Sequence, residues 1–176
     1  PNYNMPWALF DAAGRAKALA KAYDAAQAAA AGMDGATPVE QALITAVQAR
    51  YPQREVIADM TRWDHDFADA MRGVYAAHPD DFEVATVFVD TLMNVTPWKM
   101  WSSGEGTVGP GAHTVEAEQV LEAELAKPGG MAHPGLLHLY VHLLEMSPYP
   151  EKALKAADVL RTLSPDAGHL IHMPAH

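Results

Sequence analysis

Histidine is concentrated near the C-terminal end of the 176-residue chain, where six of the nine histidines occupy the last 44 residues. Imidazole is the commonest metal ligand in proteins, and it is the side chain whose charge changes closest to neutral pH. Two groups in this stretch have the spacing of a helix face. The candidate metal ligands in these groups are His138, His142, Glu145, His169, His172 and His176.

The first group predicts a metal-binding face on a single helix. His138 and His142 are four residues apart, and Glu145 follows three residues later. Side chains at these spacings are neighbours on a helix surface. Two imidazoles and one carboxylate on one face can bind a divalent ion and leave coordination positions open. We interpret His133, which stands next to Pro134, as a structural residue.

The second group is interrupted by a proline. His169 and His172 are three residues apart and His176 is four residues further on, so a continuous helix would place them on one face. Pro174 has no backbone N–H and its ring clashes with the carbonyl four residues earlier. We therefore expect the helix to break within residues 170–173, with His169 and His176 in different segments.

The donor set limits the metal and the chemistry. The chain has no cysteine, which excludes disulfides and thiolate ligands. Nitrogen and oxygen ligands leave Zn, Cu(II), Fe(II), Ni or Mn as candidates. In an enzyme, an open coordination position would activate water or oxygen. No nucleotide cofactor is expected, because the Gly-rich segment at 102–111 has no strand before it and no lysine after it.

Other catalytic arrangements have weaker support. The zinc-protease order H-E-x-x-H is absent, and Ser102 and Ser103 are nucleophiles only in principle. The run Asp64-His65-Asp66 occupies adjacent helix positions, whose side chains diverge, and we interpret it as a solvated face. The tryptophans Trp98 and Trp101 could line a pocket, but tryptophans at this spacing usually belong to the core.

Composition indicates an acidic, soluble globular protein. Twelve Lys and Arg residues against 22 Asp and Glu residues give a net charge of −10. No basic footprint for nucleic acid is visible, and the same charge disfavours an anionic membrane surface. No apolar run approaches the roughly 20 residues that span a bilayer. We favour the cytoplasm. Because the chain starts at Pro1 and stops at His176, within the second group, we expect a fragment of a longer chain.

Periodicity predicts an all-α chain of eight helices. Apolar residues recur every three to four positions, and Pro or Gly marks the turns. The predicted helices cover residues 8–31, 37–51, 61–77, 81–92, 114–127, 135–146, 149–163 and a last one from about 166. Short turns between helices favour antiparallel neighbours. No domain boundary is evident, so residues 1–176 are treated as one domain.

The seventh helix carries a repeat signature. In the run E-K-A-L-K-A-A-D-V-L-R-T-L-S-P, Ala153, Ala157 and Pro165 match the second helix of a tetratricopeptide repeat (TPR). In such an array, the first helices of successive repeats line a concave face. Residues 136–146 and 168–176 would occupy corresponding places, since one helix separates them. We therefore predict that the two histidine groups face each other across one groove.

Longer motifs carry a family resemblance. They are H-P-G-L-L-H-L-Y-V-H-L-L-E, G-H-L-I-H-M-P-A-H, P-N-Y-N-M-P-W and N-V-T-P-W-K-M-W. With these motifs the chain resembles a family of bacterial and fungal TPR-domain proteins of largely uncharacterised function. The resemblance covers most of the chain and implies a TPR-like array of antiparallel helical hairpins, a fragment of an α-solenoid. It implies no reaction.

Three functional hypotheses follow from these residues. The first is a His/Glu-lined groove that binds a divalent metal or a small polar ligand, with or without metal-dependent catalysis. The second is a TPR scaffold that binds a peptide or a partner protein on its concave face. The third is a metal-free hydrolase or lyase with a histidine general base.

Overall fold

The computed structural model describes residues 5–102 and 106–176, and this part of the chain is all-helical. Its α-helices are α1 (Ala12–Ala31), α2 (Pro38–Arg50), α3 (Thr61–Ala77), α4 (Phe82–Val95), α5 (Thr114–Ala126), α6 (Pro134–Leu144), α7 (Leu154–Leu163) and α8 (Gly168–His172). An isolated antiparallel bridge joins Trp101 and Val108. The candidate nucleophile Ser103 and the N-terminal Pro1 lie outside the described residues. None of the described helices has the length and apolar character needed to cross a bilayer.

Local capping chemistry explains where several helices begin. Thr37 and Glu40 form a reciprocal capping box at the start of α2, with Pro38 in the first turn. The ring of His133 accepts a hydrogen bond from the Leu136 N–H at 3.3 Å and caps α6, in agreement with the structural role predicted for it. The eight-helix pattern is confirmed with most of its boundaries.

The predicted start of the first helix at Ala8 is wrong. Residues Trp7–Leu9 form a separate 3-10 turn, and α1 begins at Ala12. The Asp11 carboxylate accepts a hydrogen bond from the Gly14 N–H at 2.6 Å and caps the helix there. The aspartate, a preferred N-cap residue, therefore sets the boundary rather than the alanine-rich pattern.

Helix α6 lies in the middle of the core. It contacts α4, α5 and α7, and it also contacts the 3-10 turn Met173–Ala175 that follows α8. Leu136, Leu137, Leu143 and Leu144 of α6 are fully buried. The helix that carries the first histidine group is therefore fixed by apolar packing on several sides.

The C-terminal end of α6 is held by a tryptophan from the segment before α5. The indole Nε1–H of Trp101 donates a hydrogen bond of 2.6 Å to the carbonyl oxygen of Leu143. Carbonyls in the last turn of a helix have no partner within the helix, so this bond satisfies one of them. Trp101 is 6% exposed and belongs to the core as expected, whereas Trp98 is 45% exposed and does not.

The Trp101 hydrogen bond is expected to contribute measurably to stability. Trp101→Phe keeps an aromatic ring but leaves the buried Leu143 carbonyl without this donor, which should lower the free energy of unfolding by about 1–3 kcal/mol. Chemical denaturation measures the change. Trp7→Phe is the matched control, because Trp7 is equally buried and its Nε1 has no hydrogen-bond partner among the described residues. Equal losses in the two variants would contradict the assignment.

The prediction of a solvated Asp64-His65-Asp66 face is wrong for Asp64. Its side chain is buried and lies 3.4 Å from the guanidinium of Arg50, which is buried as well. Asp64 shares its helix face with Phe67 and Ala68, three and four positions later, and that face packs on α2. Burial raises the pKa of Asp64 from 3.8 to about 6, although the nearby Arg50 opposes this shift.

The raised pKa predicts a pH-dependent loss of stability. Between pH 4 and pH 6 the folded state binds more protons at Asp64 than the unfolded chain does, so this contribution to stability falls as the pH rises. The unfolding free energy of the wild type relative to Asp64→Asn should therefore fall by about 2 kcal/mol between pH 4 and pH 7. Denaturation at a series of pH values measures it. Asp66→Asn is the control, because Asp66 is exposed. The prediction is refuted if the difference in unfolding free energy between the wild type and Asp64→Asn does not change with pH.

Candidate metal centre

The candidate site is formed by two short stretches of backbone. Helix α6 supplies His138 and His142, and Glu145 follows directly at its C-terminal cap in helical conformation. Helix α8 supplies His169 and His172. The 3-10 turn Met173–Ala175 leads to His176.

The α6 stripe has the geometry that its spacing predicts. The rings of His138 and His142 are 4.7 Å apart between centroids and meet edge to face. The His142 Nδ1 atom lies 3.1 Å from Oε1 of Glu145. His142 is 2% exposed, whereas His138 is half-buried, so the stripe runs from the core towards the surface.

The break predicted near Pro174 occurs where the α-helix ends at His172. The chain continues as a 3-10 turn with Pro174 in its first turn, and Met173 is fully buried. This turn brings His176 back towards the preceding helix, so that Nε2 of His176 lies 3.1 Å from Nε2 of His172. His169 and His176 do lie in different elements, yet both take part in the same cluster.

The two histidine groups meet. Nε2 of His138 on α6 lies 3.0 Å from Nε2 of His169 on α8. The ring of His142 is 5.3 Å from that of His176 between centroids, and Glu145 bonds to Nδ1 of His176. The structure therefore brings all six candidate residues into one cluster. Two overlapping sets within it have ligand atoms within 4.8 Å of one another: His138, His142 and His169, and His142, Glu145 and His176.

The nitrogen separations can be compared with those around a metal ion. Two nitrogens bound to one tetrahedral zinc ion at about 2.0–2.1 Å lie about 3.3 Å apart. The pair His138–His169 is separated by 3.0 Å and the pair His172–His176 by 3.1 Å. These distances also fit an N–H···N hydrogen bond, in which one ring donates to the other. Small adjustments of the rings would convert either pair into two ligands of one ion.

Glu145 orients two imidazoles at once. One carboxylate oxygen contacts Nδ1 of His142 and the other contacts Nδ1 of His176. An ionised carboxylate can only accept hydrogen bonds, so each Nδ1 must carry the proton. In a neutral ring the lone pair is then on Nε2, the nitrogen that would bind a metal. A carboxylate that fixes the ring and tautomer of a histidine is the usual outer partner of metal-bound imidazole.

The electrostatics of the site favour neutral rings at His138 and His169 and an ionised carboxylate at Glu145. Burial, together with the neighbouring His142 and His169, lowers the pKa of His138 to about 4. Burial and the adjacent histidines also lower the pKa of His169. For Glu145, burial acts to raise the pKa, but its bonds to His142 and His176 outweigh it and the net shift is downward. Metals bind neutral imidazole and ionised carboxylate, which are the forms that this environment stabilises.

The remaining histidines lie outside the cluster. His133 caps α6 and its Nε2 lies 3.1 Å from the Glu83 carboxylate, while the rings of His65 and His113 are 6.1 Å apart. Sequence reasoning missed the buried Arg50–Asp64 pair, since neither residue stands in a recognisable motif. It also missed an apolar cleft beside Glu145 and His176.

The fold and the site define an all-α protein with a six-residue histidine–carboxylate cluster. No protein-family model matches the chain, and comparisons with curated proteins and with solved structures find no match either.

The neutral state of His138 can be tested directly. With a pKa of about 4, its ring should remain neutral at pH 5.5 in the metal-free protein, and nitrogen chemical shifts of the imidazole measure this by NMR. His169→Ala removes a neighbouring ring whose protonation opposes that of His138, and it opens the site to water, so His138 should then gain its proton at higher pH. A His138 ring that is already charged at pH 5.5 in the wild type would contradict the description.

Proposed function

We propose that the cluster binds a divalent transition metal. The observation that carries the proposal is the meeting of α6 and α8 imidazoles, with Nε2 of His138 and His169 separated by 3.0 Å while Glu145 fixes the rings of His142 and His176. Packed structural histidines usually bond to backbone carbonyls or water. Here the six residues contact one another.

The ligand set follows from the positions of the imidazole nitrogens. His138, His142 and His169 form the set in which three imidazoles approach one point, and His172 and His176 lie beside it. Glu145 acts as the orienting carboxylate and offsets part of the ion's charge. Three nitrogen ligands leave a coordination position for water or a substrate atom, as in catalytic zinc sites. His169 and His172 are exposed, so this position is open to small molecules.

A metal with an open position supplies Lewis acidity and lowers the pKa of a bound water. The residues of this chain would hold and orient the ion, and Glu145 would keep two rings in their binding tautomers. Among the candidates, Zn and Cu(II) suit an imidazole-rich set best, while Fe(II), Ni and Mn also accept nitrogen and oxygen ligands.

A TPR-like arrangement is part of the same proposal. Helix α4 contacts α6, and α6 contacts the turn after α8, so each element contacts the one two helices further along the chain. The first helices of successive repeats contact one another in this way. This pattern supports an array in which α6 and α8 line one groove. The alternative role, a scaffold that binds a peptide or a partner protein in that groove, stays a prediction from the sequence.

The metal proposal is tested by titration calorimetry with Zn(II) on chelator-treated protein at pH 7.5. Glu145→Gln keeps the shape of the side chain, but its amide nitrogen cannot accept a hydrogen bond, so one imidazole loses its orienting partner. Zinc affinity should fall by about 10–100-fold, the usual effect of losing an outer partner. Glu151→Gln removes the same charge from an exposed position close by and serves as the control.

A ligand variant gives the second arm of this titration. His138→Ala should weaken zinc binding more than Glu145→Gln does, because a coordinating nitrogen is lost, whereas His65→Ala on exposed α3 surface should leave it unchanged. If the wild type takes up no Zn(II), Cu(II), Ni(II), Fe(II) or Mn(II), or if His65→Ala and His138→Ala behave alike, the proposal fails.

A further inference from the structure

An apolar cleft of about 310 Å³ opens beside the histidine cluster. It lies between α6, the start of α7 and the turn after α8. Its apolar lining includes Val141, Ala153, Leu154, Ala157, Met173 and Pro174. Glu145 and His176 line the same cleft, so it adjoins the cluster directly.

The lining has the composition of a small-molecule site. Such sites are mostly apolar, carry a few polar groups at one place, and usually occupy about 300–1,000 Å³, so this cleft is at the small end of the range. Met173 at its base is fully buried, which gives the cleft a fixed floor. Leu154 at its rim is 63% exposed, which is the highest exposed fraction of any large hydrophobic residue in the described part of the chain. An apolar ligand that covered Leu154 would remove this surface from water.

The charges restrict the polar end of the ligand. Glu145 and Glu151 both line the cleft, and both are acidic. A free anion would be repelled by them, whereas a neutral nitrogen or oxygen donor would not. Glu145 and His176 at this end of the cleft both contact His142 of the proposed ligand set. A divalent ion held by that set would offer such a donor a coordination position next to this end of the cleft.

We propose that this cleft binds the apolar body of a small molecule whose neutral nitrogen or oxygen donor coordinates the metal. The inference rests on the proposed metal function, and it adds the ligand class: a compact molecule, apolar at one end and a metal donor at the other. Val141 and Glu145 are four residues apart on one face of α6 and its cap, so the apolar and polar ends of the site are fixed to each other by a single turn.

The test uses protein loaded with Co(II), whose visible spectrum changes when an added ligand coordinates. Uptake of Co(II) is measured first by calorimetry. The probes are 1-methylimidazole, 1-propylimidazole and 1-butylimidazole, which share one donor head and differ only in apolar length. Affinity should rise about fourfold for each added methylene, as expected for a methylene that leaves water.

Two variants locate the effect in the cleft. Ala157→Leu fills the cleft and should abolish the dependence on chain length while 1-methylimidazole still binds. Leu154→Ser removes the exposed apolar rim without disturbing the core, and should weaken 1-butylimidazole several-fold but not 1-methylimidazole. Leu9→Ser is the matched control, since Leu9 is 61% exposed and lies in the N-terminal 3-10 turn.

The outcomes separate the two proposals. If Co(II) binds but the three probes bind equally, the cleft is not a ligand site and the metal function stands. If chain length matters equally in the wild type, Ala157→Leu and Leu154→Ser, the apolar contact lies elsewhere and the inference is overturned. If Co(II) is not taken up, the metal function fails, and the inference fails with it.

Discussion

The burial of α6 is the constraint on which the rest of the site depends. The helix packs against α4, α5 and α7, and four of its leucines are fully buried. Rotating or shifting such a helix would open cavities in a close-packed core, which costs several kcal/mol. The polar stripe formed by His138, His142 and Glu145 therefore points in one fixed direction. Geometry at the cluster is set by apolar packing on the other sides of the same helix.

The same burial determines the charge state of the cluster. Removing imidazole from water penalises its cation, and each neighbouring ring adds to that penalty at His138. Glu145 stays ionised because two imidazoles bond to it, which outweighs the effect of burial. At neutral pH the cluster thus combines neutral nitrogen donors at His138 and His169 with a single carboxylate. Neutral nitrogens attract divalent metals rather than anions, and one carboxylate offsets half of the charge of such an ion.

A feature of this fold could be predicted from the sequence when its cause lies in residues that are close together along the chain. The capping box Thr37–Glu40 and the proline at the start of α6 are local, and the boundaries they set are confirmed. The all-α class follows from periodicity in the same way. The burial of Asp64 has no such local cause. Whether an aspartate beside Trp63 is solvated depends on where Arg50 of another helix lies. The regular spacing of α3 gave no sign of that pairing.

The candidate site shows the same division. Each histidine group shares a face because of spacing, which the sequence contains. That the groups meet was predicted only from an assumed helical array, and the contact between His138 and His169 depends on the packing of α8 and its following turn. The orienting role of Glu145 required the position of His176, a contact across 31 residues. The apolar cleft had no sequence signal, because it is the space that three elements leave between them.

The turn Met173–Ala175 connects the two proposed binding events. Helix α8 has five residues, too few to be stable alone, so its position depends on tertiary contacts such as the buried Met173. An ion held by residues of both α6 and α8 would bind only the folded arrangement and would add its binding free energy to the stability of this turn. Met173 and Pro174 also line the cleft, as does His176. A ligand in the cleft and an ion in the cluster would therefore order the same residues. Each would then bind more tightly in the presence of the other, by the reciprocity that thermodynamic linkage requires.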